Sequence, residues 1–206
     1  MSYYSSNGVD QFLAPILPAV GYAVDVGANN GTALSNSKHF EDKGWTVLCC
    51  EANTWLEKEG MSCRKLWRSV AVGSKDQDKV VFEIAGTYPW AAISGMHLRE
   101  SPGFARPPGW DQMGQPTAKL EVPMRTLNTL LTEVGFPKLD YLTVDVEGHE
   151  LEVLKGIDLK IWKPLVIVAE CWTADNAKSV INYLTDQGYI LDEILEFDHC
   201  FLRQST

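Results

Sequence analysis

The sequence lacks the features that would place it at a membrane or on nucleic acid. No apolar run is long enough to cross a bilayer, because Pro15 and Pro18 interrupt the longest one, residues 14–24. No block of lysine or arginine occurs, and the formal net charge of −9 repels phosphate backbones. We therefore expect neither a membrane nor a nucleic acid as a partner. The first six residues also lack the basic and apolar regions of a signal peptide, so a soluble, cytoplasmic protein is expected.

Cysteine pairing is missing as well. The five cysteines are odd in number and form no Cys-x-x-Cys pair, which favours free buried thiols in a reducing compartment over disulfides. Cys171 is the candidate if one of them is reactive. With 206 residues and a hydrophobic fraction of 45%, the chain is long enough to fold around its own core. We predict a single domain over residues 1–206.

Short apolar runs alternate with helical segments along much of the chain. Strands are predicted at 22–26, 45–50, 66–72, 80–85, 119–123, 141–146 and 164–169, and helices at 32–43, 54–61, 127–134, 151–155 and 177–184. Alternation of this kind indicates parallel strands joined by helical crossovers. The last two runs, 189–195 and 199–202, are predicted to form a closing antiparallel pair. The expected fold class is therefore α/β with a mostly parallel central sheet.

A stretch rich in glycine and proline, residues 101–117, interrupts this alternation. Long loops inside compact domains are usually lids, binding loops or disordered segments. We interpret this one as a lid or substrate loop within a β/loop insertion at about 80–123. Trp90 and Ser94 are the candidate substrate contacts in the insertion. The ring of Trp90 could stack on a sugar, or it could equally pin the loop to the core.

The densest signal is the segment 24–31, VDVGANNG, in which a glycine-rich turn follows an acid at the end of a strand. Gly27 and Gly31 lack the Gly-x-Gly-x-x-Gly spacing of a pyrophosphate cradle. Asp25 would repel phosphate but suits a cation or an ammonium group. Glu51 ends the next strand, where its carboxylate can accept two hydrogen bonds from a ribose diol. S-adenosylmethionine (SAM) has a ribose, a positive centre and no pyrophosphate, and it fits this set.

A nicotinamide cofactor is disfavoured, because the middle glycine of its fingerprint is missing. The alternative to a cofactor site is that the two glycines merely build a strand-to-helix turn. The predicted cofactor contacts are Asp25, Gly27, Asn29, Gly31, Glu51, Asn53, Ser69 and Val70.

A second distinctive segment is 143–156, TVDVEGHELEVLKG. Together with 24–31, 69–73, 125–127 and the apolar strand that ends in Glu170, it resembles the FkbM-type methyltransferases. The resemblance implies a Rossmann-like class I methyltransferase fold and SAM as the cofactor. It also implies transfer of a methyl group, usually to the hydroxyl of a sugar or natural product.

Acidic residues crowd the junction between a strand and a helix in this second segment. Asp145 and Glu147 should share one face of the strand at 141–146, and His149 follows them. These three are the catalytic candidates, since a base near the acceptor hydroxyl assists methyl transfer. Glu170 ends the next strand and is a candidate substrate contact. The alternative is that the acids cap a helix or lie exposed at strand ends.

These carboxylates could also bind a divalent cation. We predict no metal site, however, because methyl transfer needs no Lewis acid. The predicted function is SAM-dependent O-methylation of a hydroxyl on a sugar, a glycan or a small natural product. The alternatives are methylation of another acceptor class, such as an amine, and a SAM-binding module without activity. The expected partner is a small-molecule or glycan acceptor.

Overall fold

The computed structural model describes residues 2–85, 93–95 and 118–204. The loop predicted at 101–117 and the candidate Trp90 lie outside these residues. The strands are β1 (Tyr22–Val26), β2 (Thr46–Glu51), β3 (Leu66–Ser69), β4 (Ala71–Val72), β5 (Gln77–Ala85), β6 (Ile93–Gly95), β7 (Ala118–Arg125), β8 (Tyr141–Val144), β9 (Val166–Glu170), β10 (Tyr189–Leu195) and β11 (Asp198–Arg203). The helices are α1 (Val9–Leu13), α2 (Lys38–Asp42), α3 (Glu57–Cys63), α4 (Leu127–Glu133), α5 (Glu150–Lys155) and α6 (Ala174–Asp186), and a 3-10 turn spans Thr54–Leu56.

A seven-stranded sheet with the order β10-β11-β9-β8-β1-β2-β3 forms the centre of the fold. Its five strands from β9 to β3 pair in parallel. At the other end, β11 runs antiparallel to both β9 and β10. The mixed α/β class, the mostly parallel sheet and the closing antiparallel pair are thus confirmed.

Apolar side chains cover both faces of this sheet, because buried parallel strands need helices on each side. On one face, Leu127 and Leu130 of α4 pack with Val153 of α5 and Val180 of α6. On the other face, α1 and α2 supply buried residues such as Phe40. The helical stripe predicted at 127–134 is confirmed, since α4 buries its leucines against the sheet.

The helix predicted at 32–43 is wrong over its first half. Only Lys38–Asp42 is α-helical, because Gly31 and Leu34 have positive φ angles of 86° and 58°. The hydroxyls of Ser35 and Ser37 donate hydrogen bonds to Asp25 Oδ2 at 3.2 and 2.5 Å. Side chains that bind a distant strand in this way compete with a regular helix.

The strand predicted at 66–72 is in fact two strands in different sheets. β3 belongs to the large sheet, whereas β4 belongs to a four-stranded sheet with the order β4-β7-β5-β6. The chain changes sheets at Val70, whose amide donates to the carbonyl of Glu51 at 2.9 Å. The small sheet has its own apolar cluster, which includes Phe82, Val122 and Met124. It contains the strands of the predicted insertion, while the single-domain boundaries stay a prediction.

The strand predicted at 141–146 ends early, at Val144. Glu147 and Gly148 follow it with positive φ angles of 58° and 100°, which no strand adopts. The expectation that Asp145 and Glu147 share a strand face is therefore wrong. A turn brings their carboxyl groups together instead.

Two further expectations concern cysteine and the membrane. All five cysteines are free, as predicted. Cys171 is buried, and burial raises the pKa of its thiol to about 12, which disfavours a reactive thiolate.

No helix among the residues described has the length and apolarity that a membrane span requires.

Candidate functional site

A cavity opens at the carboxyl ends of the parallel strands, where open α/β sheets bind their ligands. Asp25 of β1, Glu51 of β2, Thr143 of β8 and Glu170 of β9 all line it. Phe82 of β5 adds a wall from the small sheet. Because both sheets contribute, the cavity has a polar floor and an apolar side.

The glycine turn after β1 forms one rim of this cavity. Gly27 has a φ of 85°, and a Cβ there would lie 1.7 Å from the carbonyl oxygen of Asp145. Only glycine can therefore fit between β1 and the segment after β8. Gly31 has a φ of 86°, and a Cβ there would lie 2.8 Å from Cγ of Arg64. Both glycines are thus needed for the turn itself, and Gly27 also lines the cavity.

Glu51 is fixed against this turn by backbone hydrogen bonds. Its Oε2 accepts from the amide of Asn29 at 2.8 Å, and its Oε1 accepts from the amide of Asn53 at 2.7 Å. Each carboxylate oxygen keeps a second lone pair for a ligand hydroxyl. Burial raises the pKa of Glu51 to about 7, although the hydrogen bonds from Asn53 and Asn29 oppose the rise.

The remaining cofactor candidates divide into two groups. Asn29 and Val70 line the cavity. Gly31, Asn53 and Ser69 are not among its lining residues. The side chain of Asn53 instead accepts a hydrogen bond from the amide of Trp55 at 3.1 Å and caps the 3-10 turn.

Asp25 is surrounded by donors from its own chain. Besides the two serine hydroxyls, Nη1 of Arg64 lies 4.0 Å from its Oδ2. The side chain of Arg64 is fully buried, and it also donates to the carbonyl of Gly31 at 2.9 Å. The charge of Asp25 is therefore balanced within the protein as well as facing the cavity.

Three acidic residues converge on the opposite side of the cavity. Asp145, Glu147 and Glu170 each offer an oxygen, and these oxygens all lie within 4.8 Å of one another. Oε2 of Glu147 is buried and has no hydrogen-bond partner in the part of the chain that the structure describes. Three such oxygens could hold a hard divalent cation, or the groups could share protons.

Asp145, Glu147 and Glu170 form an acidic cluster. Their raised pKa values indicate that the cluster holds protons in the unliganded protein. Burial, with the charges of Asp145 and Glu150 second, raises the pKa of Glu147 to about 9. Burial also raises the pKa of Glu170 to about 7. The pKa of Asp145 is raised by burial and by the neighbouring charge of Glu170, to which it is hydrogen-bonded. A cation bound beside these groups would lower their pKa values and release protons.

His149 lies at the start of α5 and faces the same cavity. It is only 6% exposed, and burial lowers the pKa of its imidazole to about 4. The ring is therefore neutral near pH 7 and can accept a proton or a hydrogen bond. Glu150 holds the turn between β8 and α5, because its Oε1 accepts from the amide of Gly148 at 2.9 Å. Its Oε2 accepts from Asn176 of α6 at 2.6 Å.

The described residues include one of the two substrate candidates from the insertion. Trp90 lies outside the described residues, and Ser94 pairs with Ile84 in β6 of the small sheet. Several lining residues were missed by sequence reasoning, and they are Leu34, Asn36, Phe82 and Trp172. Proximity to Glu170 in the sequence is the one signal that could have pointed to Trp172.

The sequence of this chain is similar to those of known methyltransferases. Residues 25–191 match the sequence model of the family described as Methyltransferase FkbM domain, which is more than half of the chain. Methyltransferase sdnD of Sordaria araneosa is 36% identical over 81 residues. That match covers 34% of this chain and 31% of the relative, so it spans less than two thirds of the relative's own length.

Proposed function

The chain belongs to the FkbM methyltransferase domain family, and we propose that it transfers a methyl group from SAM to a hydroxyl of a sugar, glycan or small natural product. One observation carries this proposal. A single cavity has the glycine turn and Glu51 on one side and the cluster of Asp145, Glu147 and Glu170 on the other. Cofactor and acceptor can therefore meet at the carboxyl edge of one sheet.

A Rossmann-like class I methyltransferase fold is part of the proposal. The parallel strands in the order β9-β8-β1-β2-β3 support it, as does the reversed pair β10 and β11 at one end. In this fold SAM would lie across the turn after β1. Its ribose would bind the free lone pairs of Glu51, and Val70 would contact the adenine side.

The acceptor hydroxyl would lie beside the acidic cluster. SAM supplies an electrophilic methyl group on a positively charged sulfur. Asp145 and Glu147 orient the hydroxyl for in-line attack, and orientation is the main requirement because the positive charge disappears during transfer. With SAM bound, the positive charge of its sulfonium would lower the pKa values of the cluster, so that an ionised carboxylate would be available to take the hydroxyl proton. The neutral imidazole of His149 can accept a hydrogen bond beside it.

An amine acceptor is the second candidate. No lysine or arginine lines the cavity within the described parts of the chain, and five carboxyl groups do. A cavity of this charge attracts a cationic amine as well as a neutral hydroxyl. Amines therefore belong in the acceptor panel.

The test is transfer of a labelled methyl group from SAM to a panel of glycans, small hydroxyl compounds and amines. Asp145→Asn and Glu147→Gln should lose about 10²–10⁴-fold in turnover while still binding S-adenosylhomocysteine. Glu152→Gln is the matched control, because Glu152 pairs with Lys155 outside the cavity. Near-full turnover in both cluster variants would show that these acids only cap a helix. Loss of activity on chelation, restored by magnesium, would make them metal ligands instead of a base.

A further inference from the structure

Trp172 is an aromatic side chain that lies outside the sequence motifs. It lies two residues beyond β9 and lines the cavity. Its Nε1 donates a hydrogen bond to Oε2 of Glu170 at 2.5 Å. Its ring stacks on Phe197, with 4.1 Å between ring centroids and 27° between ring planes. The indole is therefore held at its edge and on one face.

Part of the indole faces the cavity. Phe197 stacks on one face of the ring. Trp172 is partly exposed and belongs to the cavity wall. Held in this way, the ring loses little further conformational entropy when a ligand covers it.

The groups beside this ring are hydrogen-bonding groups. Glu170 holds the indole, and one oxygen each of Asp145 and Glu147 lies within 4.8 Å of a Glu170 oxygen and of the other. An apolar platform next to several carboxyl groups matches a sugar ring, which has a C–H face and an edge of hydroxyls. A phosphate or carboxylate on the acceptor would be repelled, because no lysine or arginine lines the described cavity.

We propose that Trp172 is the platform on which the ring of an uncharged pyranose acceptor stacks, with the acidic cluster bound to its hydroxyls. Glu170 then acts as a positioning residue, since it fixes the indole through Nε1. The inference rests on the proposed function and narrows its acceptor class. Neutral sugars are expected to bind as acceptors, and sugar phosphates and nucleotide sugars are not.

Binding can be measured without turnover. The probes are methyl glycosides of glucose, galactose, mannose and rhamnose, titrated into protein saturated with S-adenosylhomocysteine while tryptophan fluorescence is recorded. At least one neutral glycoside should change the emission, and glucose 6-phosphate should not. Trp172→Phe should lose the fluorescence signal. Trp162→Phe should keep it, because Trp162 is bonded to Asn128 and does not line the cavity.

Kinetics then separate a platform from a structural residue. Trp172→Ala should raise KM for the sugar about three- to tenfold, while kcat and the affinity for S-adenosylhomocysteine stay near the wild-type values. Trp172→Phe should restore most of the loss in KM, since it keeps an aromatic face. Unchanged cofactor affinity shows that each variant is folded.

The outcomes distinguish this inference from the proposed function. If sugars are methylated with the same KM by Trp172→Ala, the platform is disproved while the function stands. If no glycoside changes the fluorescence, or glucose 6-phosphate binds as well as the neutral sugars, the platform is also disproved. If an amine is methylated and no sugar is, both the sugar acceptor and the platform are wrong.

Discussion

At the scale of single residues, Glu51 combines a structural and a ligand-binding role. It is 7% exposed, and its two oxygens already accept the amides of Asn29 and Asn53. The same oxygens face the cavity, so a ligand hydroxyl completes their hydrogen bonding instead of replacing it. The turn is thereby ordered before a cofactor arrives.

Glu51→Ala is expected to weaken binding of S-adenosylhomocysteine about tenfold or more. Loss of hydrogen bonds to a charged group costs about 1.5–3 kcal/mol, which corresponds to that factor. Isothermal titration calorimetry measures the affinity, and a melting curve shows whether the variant is folded. Glu57→Ala is the control, because Glu57 is exposed on α3 and does not line the cavity. Equal affinities for wild type and Glu51→Ala would remove the ribose assignment.

At the scale of elements, Arg64 joins parts of the chain that are far apart in sequence. Its Nη2 donates to Ser37 at 2.6 Å, and its Nε lies 3.1 Å from Oε2 of Glu41 in α2. Its Nη1 donates to Gly31 in the glycine turn. The guanidinium therefore ties α2 and the glycine turn to the start of β3, while it compensates two buried carboxylates, Asp25 and Glu41.

Arg64→Met is expected to lower the free energy of unfolding by about 3–5 kcal/mol, because it leaves buried carboxylates without their cation. Chemical denaturation measures the loss. Arg68→Met should change stability by less than about 0.5 kcal/mol, since Arg68 is exposed on β3. The double variant Glu41→Gln, Arg64→Met should recover part of the loss. A small effect of Arg64→Met alone would show that this network contributes little.

The elements also show what the sequence could and could not predict. The large sheet and the leucine stripe of α4 follow from local apolar periodicity, and both were predicted correctly. The first half of the helix predicted at 32–43 does not form, because its serines bind Asp25 and Arg64, which are distant in sequence. The change of sheet at Val70 leaves no pattern in the sequence, because only this one residue separates β3 from β4.

The candidate site divides in the same way. The positions of Gly27 and Glu51 at strand ends follow from a parallel sheet, so sequence reasoning could place them on the cavity. The meeting of Asp145 and Glu147 depends on the positive φ of Glu147, which alternation in a strand does not predict. Trp172 carries no motif, and its stacking on Phe197 requires the antiparallel return of β11 to β9.

At the scale of the whole molecule, acidic groups are concentrated in one place. The net charge is −9, and Asp25, Glu51, Asp145, Glu147 and Glu170 all line the cavity. Arg64 compensates Asp25, but no ion pair is recorded for the other four in the described residues. Burying unpaired carboxylates is unfavourable, so the unliganded protein keeps protons on these acids. Its stability therefore depends on pH.

The direction of this dependence follows from Glu147. Its pKa is raised by burial to about 9 in the folded protein, against 4.5 for a free side chain, so between these pH values the folded state binds more protons than the unfolded state. Stability is therefore highest below that window and falls as the pH rises through it. Glu51 and Glu170, with pKa values of about 7, add to the fall below pH 7. His149 acts oppositely between about pH 4 and 6.5, because its pKa is lowered and the unfolded state binds its proton.

Above pH 7, Glu147 contributes to the fall in stability. Its titration alone should lower the free energy of unfolding of the unliganded protein by roughly 2 kcal/mol from pH 7 to pH 9, at most about 1.4 kcal/mol per pH unit for one group. Glu147→Gln mimics the protonated acid and should flatten that decrease, as measured by urea denaturation at several pH values. Glu152→Gln should leave it intact, because Glu152 lies outside the cavity and its pKa is lowered, despite partial burial, by Lys155 and Ser74. If the stability of Glu147→Gln falls as steeply as that of the wild type, Glu147 does not hold the proton that is lost above pH 7.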